Sequence, residues 1–103
     1  MSDVLVRIKR AVLEGRYVFS EKASVELEAD GLTELDVVEA IANSVAIYKT
    51  IRSRSPRREH PAEKLYIVQG LNLEGLPVYT KGKFLSEARG ETYYFLVSSK
   101  RCE

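Results

Sequence analysis

The chain reads as an α+β domain, with three helices leading into a sheet. Through residue 43 the apolar residues recur at helical spacing, and from Val45 onward the period falls to two. A length of 103 residues, 45% hydrophobic and 30% charged, allows one modest core. Residues 1–103 are therefore expected to form a single domain, interrupted by a basic loop at 52–63.

The first helix is expected from Asp3 to Glu14, where Val4, Leu5, Ile8, Ala11 and Val12 form one stripe. Ser2 or Asp3 can cap its start, and Gly15 can take the left-handed conformation that ends it. Arg7, Lys9 and Arg10 fall mostly off the stripe and read as a solvated face. Tyr17-Val18-Phe19 is a short extended piece leading to Ser20, the N-cap of a second helix through about Ala29. Ala23 and Leu27 face inward there, and Asp30-Gly31 stops it. Thr33 with Asp36 forms a capping box for a third helix, which is expected to turn Leu35, Val38, Ile41 and Ala42 inward and to end near Asn43. Glu21, Glu26, Glu28, Glu34 and Glu39 read as solvated.

Four strands follow, in a largely antiparallel sheet. The first covers Val45 to Ile51, the second Leu65 to Leu71, the third Pro77 to Phe84 and the last Glu91 to Ser99. Asn72-Leu-Glu-Gly75 is a hairpin-type turn between the second and third. Leu85 to Gly90 is a polar connector. In the last strand Tyr93, Phe95 and Val97 share one face, with Tyr94 and Leu96 on the other.

Several classes of chemistry are disfavoured. Apolar runs of a few residues are far short of a membrane span, and Met1-Ser2-Asp3-Val4 lacks the pattern of a signal peptide, so a cytoplasmic location is expected. Cys102 is the sole cysteine and His60 the sole imidazole, which leaves no Cys/His zinc site and no internal disulfide. Cys102, next to the last residue, reads as a frayed thiol rather than a nucleophile. No metal or other cofactor is expected. The net charge of +1 hides an asymmetry. Residues 1–51 hold six Lys/Arg against nine Asp/Glu, a net −3, whereas residues 52–103 hold ten against six, a net +4. That split points weakly to an anionic partner for the second half.

The strands carry phenols and ammonium groups: Tyr48-Lys49, Tyr79-Thr80-Lys81 and Ser99-Lys100, with Arg52, Arg54, Arg57 and Arg58 in the basic loop. Such a surface suits a polyanion, and RNA leads the candidates. Metal-free RNA cleavage needs a base for the 2′-hydroxyl, charge to offset the phosphate and an acid for the leaving oxygen. Lys49, Lys81 and Lys100 can serve if strand order brings them together. The plainer alternatives stand beside this. Lys81 and Lys83 would guard a sheet edge, Lys100 and Arg101 would form a solvated tail, and the tyrosines would be packing residues.

The layout resembles the MqsR-like branch of the RelE/ParE superfamily of toxin–antitoxin ribonucleases across nearly the whole chain. Leu5-Val-Arg-Ile-Lys9 followed by Gly15 is similar to the start of that family, and Ile47-Tyr-Lys49-Thr to its entry into the sheet. Lys64-Leu-Tyr66, Pro77-Val-Tyr79-Thr-Lys81 and Leu96-Val-Ser-Ser-Lys100 are similar to its next three strands in order and approximate spacing. Phe19-Ser20-Glu21-Lys22-Ala23 is also similar to the Phe-Ser-x-His-Ala pattern of a related family of uncharacterised domains, with Lys22 and Glu26 where that family keeps His and Arg. The resemblance implies a RelE-like fold and a metal-independent mRNA endoribonuclease, acting alone or with the ribosome and neutralised by a cognate antitoxin. It implies a monomer or weak dimer when free. The family's site is two lysines, a glutamine and a tyrosine, which fall on Lys49, Lys100, Glu63 and Tyr79, Glu63 standing where glutamine is usual. Arg52, Arg54, Arg57, Arg58 and Lys81 would then follow the RNA backbone. The alternative is a non-catalytic module of the same fold that binds RNA or a protein.

Overall fold

A computed structural model describes residues 3–56, 62–86, 90 and 92–102. Three helices, α1 (Asp3–Leu13), α2 (Glu21–Ala29) and α3 (Glu34–Asn43), pack on a five-stranded sheet. Its strands are β1 (Tyr17–Phe19), β2 (Lys49–Arg52), β3 (Lys64–Leu71), β4 (Pro77–Ser86) and β5 (Thr92–Arg101), in the spatial order β1-β5-β4-β3-β2. The sheet is mixed. β1 runs parallel to β5, and every other pair is antiparallel. No helix among the described residues is long and apolar enough to cross a membrane.

The helices form where their caps and stripes place them. Ser20 Oγ accepts the Ala23 amide at 3.0 Å, and Thr33 and Asp36 exchange the two hydrogen bonds of a capping box. α1 buries Leu5, Ile8, Ala11 and Val12, and α2 buries Ala23 and Leu27. In α3 the buried stripe is Val37, Ala40 and Ile41; of the expected set Ile41 is buried and Val38 packs partly buried against the core, but Leu35 is 63% exposed. Leu35 stands in the first turn, on the side of the helix turned away from that stripe. Each large side chain fully buried here stabilises the fold by roughly 1.5–3 kcal/mol.

Several groups expected to be solvated are tied down. Lys9 Nζ donates to Ser44 O at 2.6 Å, placing a cation at the C-terminal end of α3. Leu73 donates its amide to Glu39 Oε1 at 2.9 Å.

Two corrections concern the sheet. The expected count of four strands falls short by one, because Tyr17–Phe19 pairs with Tyr94–Leu96 as an edge strand. The first long strand begins at Lys49 rather than Val45, which is 84% exposed. β1 covers only part of β5. Beyond it, α2 lies along the free edge, where Glu26 accepts the Ser99 amide at 3.3 Å and Asp30 the Arg101 amide at 2.8 Å. These carboxylates are four residues apart on the helix, and the amides two apart on the strand. One helical turn and two strand residues span similar lengths, so the helix completes the hydrogen bonding that β1 leaves open.

Two glycines allow close approach. A Cβ at Gly70 would lie 2.0 Å from Ala40 O, so α3 can rest on β3 only because that position is bare. A Cβ at Gly82 would lie 2.5 Å from Tyr94 Cζ, so the Tyr94 ring occupies the space over β4.

Candidate functional site

The helix-facing side of the sheet is given by the buried residues Val68, Val78, Thr80, Tyr94 and Leu96. Alternation then puts Gln69 and Tyr79 on the opposite side. Lys100 joins them because the register with β4 shifts by one residue between Leu96 and Ser98, a bulge that reverses the facing of the end of β5. The registers make them direct neighbours, with Gln69 opposite Tyr79 on β3 and β4, and Tyr79 opposite Lys100 on β4 and β5. Lys100 Nζ stands 5.4 Å from the centre of the Tyr79 ring. With Tyr48, Arg101 and Cys102 these side chains line an open cleft of about 390 Å³.

One row along the sheet, Lys49, Ile67 and Lys81 are paired across β2, β3 and β4. Lys81 is the next residue after Tyr79 on the same face of β4, about 7 Å away at strand spacing. Lys49 sits on the edge strand two strands from Lys81, about 10 Å away. The structure thus brings Tyr79 and Lys100 into one cleft and sets Lys81 one row on, whereas Lys49 lines a separate depression with Val4, Tyr48 and Tyr66. The sheet-edge reading of Lys81 and Lys83 does not hold, because β4 is an interior strand.

Glu63 stands elsewhere. It lies just ahead of β3, 5% exposed, where Lys83 Nζ donates to its Oε1 at 3.0 Å. Lys83 is four residues from Tyr79 on β4, a separation of about 13 Å. The amide side chain in the cleft is Gln69. Nothing in local sequence marks that residue; its role follows from the β3–β4 register, which fixes it opposite Tyr79. Arg52 pairs with Lys64 at the far end of β2, and Arg54 follows it, exposed. Arg57, Arg58 and His60 lie outside the described residues.

Electrostatics assign states to three groups. Burial, with smaller contributions from Glu26 and Cys102, pushes the Tyr79 phenol above its ordinary value of 10.0. Tyr79 therefore holds its proton at neutral pH and is a hydrogen-bond donor. Burial also pushes the Cys102 thiol up, so it stays protonated and is a poor nucleophile. Its backbone is not frayed, since Cys102 N donates to Pro77 O at 3.0 Å. Glu26 is a carboxylate electrostatically linked to Tyr79 and Lys100. Burial alone would raise it, but the Ser98 hydroxyl, Lys22, the Ser99 amide and Lys100 together outweigh that and hold it below its ordinary 4.5. Sequence reading placed Glu26 on a solvated face; the Ser98 hydroxyl donates to it at 2.7 Å.

Among the described residues no three His, Cys, Asp or Glu side chains converge as a metal-ligand set. The cleft offers one protonated phenol, one amide able to donate and accept, and several cations around an open floor. An extended anion with planar groups fits that set. Compared with protein-family models, with curated proteins and with solved structures, the chain matches none.

Proposed function

We propose that the protein is an endoribonuclease that cleaves single-stranded mRNA without a metal, with the cleft around Tyr79 as its active site. The observation that carries this reading is the row Gln69–Tyr79–Lys100 across three adjacent strands, with Lys49 and Lys81 one row on. It supplies the residue types of the MqsR-like sites that the sequence resembles, with Gln69 rather than Glu63 as the glutamine. A RelE-like fold and a toxin's role beside a cognate antitoxin belong to the same proposal, as do action on free or ribosome-bound mRNA and a cytoplasmic location.

The reaction is an internal transfer. The 2′-hydroxyl gives its proton to Lys49 or Lys100, whichever holds its side chain as the neutral amine and becomes the ammonium, and its oxygen attacks phosphorus. The bond from phosphorus to the 5′-oxygen breaks, and that oxygen takes a proton, leaving a 2′,3′-cyclic phosphate and a 5′-hydroxyl. Tyr79, held protonated by its surroundings, donates to a phosphate oxygen or to the departing 5′-oxygen. Gln69 orients the phosphate through its amide. Lys81, Arg101 and the lysine not acting as base offset the charge on phosphorus. In this reading Arg54, Arg57 and Arg58, in the loop that follows β2, hold RNA outside the cleft, whereas Arg52 alternates to the face of β2 opposite Lys49.

Inducing the protein in a bacterial host tests the toxin reading. Wild type arrests growth, and Lys100→Ala or Gln69→Ala relieves the arrest at equal protein level. Arrest unchanged by both substitutions would remove the cleft from the mechanism.

A second reading, a non-catalytic binding module, has its own support. Val45, Leu71 and Leu73 are 84, 52 and 77% exposed, and with Gln69 they line an adjoining depression of about 450 Å³. Exposed apolar residues beside the cleft suit a protein partner. That reading predicts binding without any RNA product.

A further inference from the structure

On the helix side of the sheet a second cavity, of about 400 Å³, opens between α1 and the far ends of β4 and β5. Arg7 and Arg10 reach it from α1 and Arg16 from the connection to β1, and Glu14 is the one carboxylate among its described lining residues. Phe84 and Ala11 form an apolar part of its wall. Phe84 is five residues along β4 from Tyr79 and on the opposite face, about 17 Å away at strand spacing. The two cavities are separate sites.

The three guanidiniums are held differently. Arg16 donates to Thr92 O and pairs with Glu14 at 3.1 Å, which fixes its plane. Arg7 Cζ lies 4.3 Å over the centre of the Phe84 ring, and the residue is exposed. The Arg10 side chain has no hydrogen bond or ion pair among the described residues. Among the described lining residues, one carboxylate against three guanidiniums leaves an excess of positive charge in a recess with partly apolar walls. Such a recess concentrates the field on whatever enters.

We propose that this cavity binds a phosphate monoester bearing a planar group, as in a mononucleotide or the 5′-phosphorylated end of an RNA. The planar fork of Arg10 suits two-point contact with phosphate oxygens, which a lysine would not provide, and Arg16, fixed by Thr92 O and Glu14, adds the N–H groups those partners leave over. The exposed Arg7 guanidinium, set against Phe84, suits stacking with a base. The cavity volume exceeds that of a bare phosphate and suits a nucleotide. The proposal does not depend on the nuclease reading.

Calorimetric titration of the full chain with adenosine 5′-monophosphate and with adenosine tests it. The monophosphate is expected to bind at least about tenfold more tightly, as charge-assisted bonds to the phosphate require. Arg10→Ala, which removes a side chain with no structural partner and should leave the melting temperature unchanged, is expected to abolish that difference. Arg10→Lys should restore only part of it. Lys100→Ala, altered in the other cleft, should keep it. Equal affinity for the two ligands, or full monophosphate binding by Arg10→Ala, overturns the proposal, as does loss of binding in Lys100→Ala. A 5′-phosphorylated oligonucleotide and its 5′-hydroxyl counterpart complete the comparison. Preference for the phosphorylated oligomer over the mononucleotide identifies an RNA end as the occupant, and the reverse a free nucleotide.

Discussion

Burial holds the Tyr79 proton in place, and in the proposed reaction that proton is donated. Tyr79→Phe keeps the ring under Lys100 and removes only the hydroxyl. Single-turnover cleavage should fall by about 10²-fold, the usual worth of a placed acid, while RNA affinity stays near wild type. A fall in affinity with an unchanged rate would make Tyr79 a binding residue only. Tyr94 offers the opposite case. Its hydroxyl is buried with no hydrogen-bond partner in the described structure, and its ring fills the space over Gly82. Tyr94→Phe keeps the ring and removes the unpaired group, so urea unfolding should show a gain of about 1 kcal/mol. Glu26 ties stability to pH. Its folded value lies below its unfolded value, so its contribution is present above about pH 4.5 and is lost as pH falls through the folded value. Wild type should therefore lose stability more steeply than Glu26→Gln below pH 4.5 in acid-unfolding curves. At this scale Tyr79 and Lys100 were legible in the sequence as strand residues suited to a polyanion. Gln69 and Glu26 were not. The first depends on register between strands, and the second on a helix reaching a strand more than seventy residues further on.

Helices α1, α2 and α3 were legible almost to the residue, because caps and stripes are local signals. β1 was visible only as an extended piece. Three residues carry too little pattern to announce a parallel pairing with β5, near the other end of the chain. The start of β2 was misplaced for a related reason. Val45-Ala46-Ile47 alternates like a strand, yet the described pairing with β3 begins at Lys49. The α3–β3 contact is the most sensitive joint between elements. Gly70→Ala would place a methyl against the Ala40 carbonyl, and α3 would have to lift away from the sheet. The expected loss is about 3 kcal/mol in chemical denaturation, at the upper end for overpacking. A loss below about 0.5 kcal/mol, the level of an ordinary surface change, would mean that the helix sits further out than described.

Across the whole molecule the charge asymmetry of the sequence becomes an asymmetry of faces. The acidic first half supplies helices on one side, with Glu26 and Asp30 committed to the free edge of β5. The basic second half supplies most of the open face of the sheet, where Lys81 and Lys100 stand beside Tyr79, and Lys49 adds a cation from the edge strand β2. Single-stranded RNA binding there should weaken with salt, and each of these lysines that contacts a phosphate adds about 0.7 to the slope of log affinity against log salt. Lys81→Ala should lower that slope by about this amount in a fluorescence titration. The measurement closest to the central claim is incubation of the purified protein with an end-labelled single-stranded RNA in EDTA, alone and in a translation extract, with analysis of the product ends. The account predicts fragments ending in 2′,3′-cyclic phosphate and 5′-hydroxyl, lost in Lys100→Ala and in Gln69→Ala. RNA left intact by wild type in both settings, or cleaved equally by all three proteins, would contradict it.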